Sequence, residues 1–184
     1  MVLKQRGLTL AEFLKLPEQK PSLEYFDGKV CRKVTPKGRH SAIQAGLTGL
    51  VNNFSVPRKL ARAFTELRTT YAGASPVPDI SIYRWERLPR NEAGRLVDDF
   101  VEPPPIAVEI PSPGQKVNRL RRRCGWYVEQ GVRQALLILP DDESVISFRP
   151  GAEPQVLRGS DRIDLDEILP GFGLTAAAVF DLLS

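Results

Sequence analysis

Sulfur and histidine are scarce in this chain, with two cysteines, one methionine and one histidine among 184 residues. Cys31 and Cys124 form no Cys-x-x-Cys pair, so the sequence encodes neither a disulfide framework nor a zinc site, and both read as small core residues. Long hydrophobic runs are missing as well. Nothing approaches the roughly 18 apolar residues that a membrane-spanning helix needs. The start, Met1-Val-Leu-Lys-Gln-Arg-Gly7, lacks the continuous apolar stretch of a secretory signal. These absences leave no membrane segment to expect and make the cytoplasm the expected compartment.

The remainder is ordinary globular material, 42% hydrophobic and 26% charged, which argues against disorder. The length suits one well-filled core and is short for two domains, so residues 1–184 are expected to fold as one. A net charge of +4 and a pI near 9.2 permit binding to a polyanion without requiring it. The distribution says more than the sum. Lys116, Arg119, Arg121, Arg122 and Arg123 share one short segment, whereas acids gather at Asp98, Asp99 and Glu102 and again at 161–167.

Thr9-Leu-Ala-Glu12 has the form of a capping box and predicts a short helix stopped by Pro17. Asp27-Gly28, set between Glu24-Tyr-Phe and Lys29-Val-Cys, predicts a hairpin. Ile43, Leu47, Leu50, Val51 and Phe54 recur at helical spacing over 40–54. Strands are expected at 64–71 and 79–83, and a long polar connection at 85–105. Residues 106–110, Ile-Ala-Val-Glu-Ile, read as a strand buried on both faces. A helix over 117–130 ending at Gly131, strands at 135–139 and 144–148, a short strand and turn over 162–173 and a helix over 175–183 complete the chain. Asp164 and Asp166 around Leu165 alternate as an edge strand would. The order predicts an α/β fold, a mixed sheet flanked by helices, with an N-terminal helix and hairpin.

Glu109 is the anomaly. An ionised carboxylate among Ile106, Ala107, Val108 and Ile110 is costly unless paired or bound to a cation. Asp79 opens the neighbouring strand prediction after Pro78, where it reads either as a turn residue or as a functional acid. Two carboxylates brought together by adjacent strands repel, and a hard divalent cation with oxygen ligands relieves them, magnesium first and manganese as a substitute. Glu66 is a candidate third carboxylate or a solvent-facing strand residue. His40 reads as a phosphate donor or a helix-start residue, and Glu24 as a supporting acid or a hairpin surface residue. Lys116, Arg119, Arg122 and Arg123, on a helix starting close to Glu109, are candidates for backbone phosphate contact or a solvated face.

Glu24-Tyr-Phe-Asp-Gly28, His40, Glu66-Leu-Arg, Pro78-Asp79-Ile-Ser-Ile, Val108-Glu-Ile-Pro-Ser-Pro113, Trp126-Tyr, Gly131-Val and Leu169-Pro-Gly-Phe172 together resemble the Uma-type restriction endonuclease family of the PD-(D/E)xK nuclease superfamily. The resemblance spans nearly the whole chain. It implies a restriction endonuclease-like fold, a metal held by Asp79 and Glu109, DNA as substrate and often a homodimer. The pattern departs at two positions. The superfamily lysine two positions after the second acid is Pro111 here, and where Uma-type sequences carry a lysine on the next helix, four residues before the position of Tyr127, this chain has Arg123.

The sequence therefore predicts a magnesium-dependent endonuclease. Asp79, Glu109 and the Ile110 carbonyl are expected to hold the ion, and Arg123, or else Lys116, to offset charge on the phosphate. A permanently protonated arginine is a poor general base, so a DNA-binding module that kept the fold and lost catalysis is the alternative. A structural protein whose acids are paired internally by arginines is a third reading.

Overall fold

The computed structural model describes residues 7–184; the expectation for the start of the chain falls on residues 1–6 and lies outside it. The capping box forms as expected. Thr9 Oγ1 accepts from the Glu12 amide at 3.2 Å, and the Thr9 amide donates to Glu12 Oε2 at 2.7 Å. It opens only a single turn, α1 (Leu10–Phe13). The hairpin β1 (Leu23–Phe26) and β2 (Lys29–Arg32) turns through Asp27 and Gly28, with φ of 48° and 69°, the left-handed pair a two-residue turn of this hand requires.

Helix α2 (Gly38–Ser55) presents Ile43, Leu47 and Val51 to the core. The central sheet contains β3 (Ala61–Thr65), β4 (Ile80–Arg84), β5 (Ile106–Glu109), β6 (Gln134–Leu139), β7 (Ser144–Phe148) and β8 (Gln155–Arg158), hydrogen-bonded in that order. Neighbours are antiparallel except β5 and β6, whose parallel pairing is bridged by α3 (Val117–Glu129). A short α4 (Ala176–Phe180) closes the chain together with a 3-10 turn, Asp181–Leu183. This is the expected mixed sheet between helices. Among the described residues no helix is long and apolar enough to cross a membrane.

Strand parity divides the core. Ile80, Ile82, Ile106, Val108 and Ile110 face α2 and the C-terminal segment. Ala107, Ala135 and Leu137 face α3, which buries Leu120, Cys124 and Tyr127 against them. Cys124 is a core residue as expected; Cys31, on the hairpin, is only half-buried.

Three local expectations are corrected. The strand expected at 64–71 is β3, earlier in the chain, and it stops where Glu66 adopts a φ of 48°. The sheet's edges are β3 and β8, the latter a Gln-Val-Leu-Arg with too little hydrophobic pattern to announce itself, and not the acidic stretch 161–167. That stretch is irregular, and its alternation buries Ile163 and Leu165 as a plug against the sheet while Asp164 and Asp166 stay in solvent. The expected helix over 175–183 is divided between α4 and the 3-10 turn.

If the plug seals this face, Leu165→Ala is expected to cost about 2–5 kcal/mol, the usual range for emptying a buried leucine site. Urea denaturation measures it, and a loss below about 1 kcal/mol would show that the segment is not part of the core.

Candidate active site

The β4–β5 register pairs Ile80 with Val108, and one further step sets Asp79 opposite Glu109. Both then share the parity of Ala107 and point to the α3 side of the sheet. Glu24 joins them from β1. All three carboxylates are 2% exposed, a degree of burial acidic side chains reach only with partners.

Those partners are two cations and a set of fixed dipoles. Arg123 forms a two-pronged fork with Glu24, at 3.0 and 2.8 Å, and lies 3.4 Å from Glu109 Oε1. Its guanidinium also stacks on the Phe26 ring at 4.8 Å. Glu24 Oε1 further accepts from the Val77 amide at 2.9 Å. Lys33, one residue past β2, places Nζ 2.6 Å from Asp79 Oδ1 and 2.7 Å from the Val77 carbonyl oxygen. Asp79 Oδ2 accepts from the Ile110 amide at 2.7 Å, and Gln44 holds the Asp79 backbone carbonyl at 2.8 Å.

Glu109 Oε1 accepts a 2.6 Å hydrogen bond from the Tyr127 hydroxyl. Its Oε2 has no hydrogen-bond partner among the described residues. Burial raises the Glu109 pKa, Arg123 opposes that, and the Asp79 charge raises it further, leaving the group at about 7. Burial opposes the charge on Lys33, but Asp79, with Glu109 and Glu24 behind it, outweighs this and holds its pKa above the usual lysine value. The Tyr127 hydroxyl is pushed well up by burial and by Glu109, so it serves as a proton-bearing donor.

His40 sits at the start of α2 with its ring buried between Ser112 and Asp79. Nδ1 is 3.3 Å from Ser112 Oγ, and Nε2 has no hydrogen-bond partner, lying 3.5 Å from Asp79 Oδ1. Together these groups floor a cavity of about 270 Å³ whose walls carry Arg32, Lys33, Lys116, Arg119 and Arg123. A larger cavity of about 510 Å³ adjoins it across His40, lined in good part by Pro111, Pro113 and Pro140. The smaller one holds the buried acids.

Of the expected site residues, the fold brings Asp79, Glu109, Arg123, Glu24 and His40 together and sets exposed Lys116 and Arg119 at the rim. Arg122 is exposed elsewhere on α3, outside the cavity wall. Glu66 is not a third carboxylate. Its amide bonds the Asp79 carbonyl at 3.1 Å, but its left-handed backbone turns the side chain into solvent, and Glu24 takes the third place. The contact Ile110 makes with Asp79 is through its amide N–H, whereas the sequence pointed to its carbonyl. Lys33 escaped the sequence reading, because Arg32 and Val34 around it look like hairpin surface and its acid partner is 46 residues away.

Among the described residues no three His, Cys, Asp or Glu side chains are grouped to hold a metal. Asp79 and Glu109 could hold one hard cation as a carboxylate pair, with water and substrate oxygens completing its shell, the way magnesium is commonly bound. The unpartnered Glu109 oxygen and the unpartnered His40 Nε2 beside Asp79 fit such a site.

A crystal structure described as "a putative nuclease belonging to DUF820" from Anabaena variabilis matches this fold with a TM-score of 0.92 and 36% sequence identity, over 97% of this chain and 100% of that one. Among curated proteins none matches. The family model Uma2, described as "Putative restriction endonuclease", matches residues 10–177, and the chain belongs to that family.

Proposed function

We propose that this protein is a metal-dependent endonuclease that hydrolyses DNA phosphodiester bonds at the Asp79–Glu109 cavity. The observation that carries the reading is the facing pair of buried carboxylates beneath a rim of arginine and lysine. Three buried acids face two partly buried cations, Lys33 and Arg123, and burial first, with the Asp79 charge added, raises the Glu109 pKa to about 7.

Asp79 and Glu109 would be the ligands of a magnesium or manganese ion, which supplies Lewis acidity toward a phosphate and its attacking water when bound. The Glu24–Arg123 fork and the Tyr127 hydroxyl fix the Glu109 carboxylate. The Ile110 amide and Lys33 fix that of Asp79. At the rim, exposed Arg32, Lys116 and Arg119 present charges to backbone phosphates, contacts that position a duplex without reading its sequence. The family's description and that of the Anabaena structure support the same class of activity.

One observation favours a second reading, a module that binds nucleic acid without cutting it. Each acid already has a protein cation within 3.4 Å, so the site is partly neutralised without a metal.

Magnesium-dependent nicking of supercoiled plasmid separates the two. Asp79→Asn and Glu109→Gln are each expected to lower the rate by about 100-fold or more. Equal nicking by all three proteins would remove these residues as ligands, and no nicking by wild type would leave the binding module. Because the ion must displace the Glu109 proton, manganese affinity is expected to fall about tenfold per pH unit below pH 7 and to level off above it. Calorimetric titration from pH 5.5 to 8 reads this slope, and a flat profile would detach Glu109 from the ion. Lys116→Ala and Arg119→Ala should each weaken duplex binding in calcium and reduce its log–log salt slope by about 1; an unchanged slope would move the DNA path elsewhere.

A further inference from the structure

The nuclease pattern puts a lysine two residues beyond the second acid, and this chain has proline there. Neither Arg123 on α3 nor Lys116, the residue before that helix, takes that place. Arg123 is consumed by its fork to Glu24 and its stacking on Phe26, and it is only 11% exposed. Lys116 is exposed at the rim, and its ammonium makes no ion pair or hydrogen bond to the acids among the described residues.

Lys33 differs from both. It stands on the cavity wall with a side chain 9% exposed, on the hairpin rather than on the sheet or α3. Its ammonium has three N–H donors, of which Asp79 Oδ1 and the Val77 carbonyl take two. One donor is left for an oxygen in the cavity. We propose that Lys33 supplies the ammonium of the active site, holding Asp79 with two donors and offering the third to the scissile phosphate. The assignment rests on the nuclease reading above.

The placement has a distinctive consequence. An ion shared by Asp79 and Glu109 would feel the Lys33 charge through the same carboxylate, so removing that charge tightens metal binding while taking a donor from the phosphate. Affinity and rate then move in opposite directions, which loss of a merely structural ion pair would not cause.

The test compares wild type, Lys33→Gln and Lys33→Arg by manganese titration calorimetry, single-turnover plasmid cleavage and melting in EDTA. Lys33→Gln is expected to bind manganese about tenfold more tightly and to cleave about 100-fold more slowly. Lys33→Arg keeps the charge and is expected to hold manganese within about threefold of wild type while cleaving about tenfold more slowly. Unchanged or weaker manganese binding by Lys33→Gln, or cleavage within about threefold of wild type, overturns the proposal. If wild type binds manganese but does not cut, the nuclease reading fails; tighter binding by Lys33→Gln then still supports Lys33 as the site's cation, and unchanged binding overturns it. Should Lys33→Gln not fold, Lys33→Arg decides alone: retained affinity with slowed cleavage supports the assignment, and wild-type cleavage overturns it.

Discussion

The site is organised by a charge imbalance held out of water. Glu24, Asp79 and Glu109 are buried within reach of two cations, Lys33 and Arg123. Breaking a buried pair by removing one partner commonly costs 3–5 kcal/mol, roughly the scale of a small domain's whole stability margin. Such a cluster is therefore tolerated only where every charge is fixed by geometry. Here the geometry is supplied by backbone: the Val77 amide for Glu24, the Ile110 amide for Asp79 and the Val77 carbonyl for Lys33. Residue 77 alone ties an acid and a base together through its two peptide groups, so the turn before β4 is as much part of the site as the carboxylates.

The sheet accounts for the pairing of the acids. Antiparallel register sets Asp79 against Glu109, and strand parity turns both toward α3. The crossover from β5 to β6 lays α3 over that face, and Arg123 and Tyr127, four residues apart, reach Glu109 from one side of the helix. The hairpin completes the assembly from outside the sheet. Glu24 lies on β1 and Lys33 one residue past β2, so one Asp-Gly turn delivers an acid and a base to the same cavity.

What the sequence disclosed follows from how local each signal is. Glu109 was legible because its apolar neighbours make an ionised side chain anomalous, and Asp79 became legible once a neighbouring strand placed a second acid beside the first. Glu24 and His40 could be named as candidates but not placed, since their partners Arg123 and Ser112 lie 99 and 72 residues away. Glu66 misled because strand alternation says nothing about a φ of 48°. Residues 161–167 misled for the opposite reason. Their alternation is real, and it buries Ile163 and Leu165 in a segment outside the central sheet that is bridged to the chain at Thr175.

Pro111 stands where the resemblance to the nuclease superfamily sets a lysine. Along a strand, residue i+2 shares the face of residue i, so a lysine two residues after Glu109 would stand beside it on the α3 side. Here β5 stops at Glu109, and proline at 111 has no amide with which to prolong the ladder. The face beyond Glu109 is left without a lysine at that position. An ammonium arriving from the hairpin approaches from the Asp79 end of the pair. On the assignment proposed for Lys33, the requirement is a position in space beside the carboxylates, met by a residue about 80 positions before Pro111.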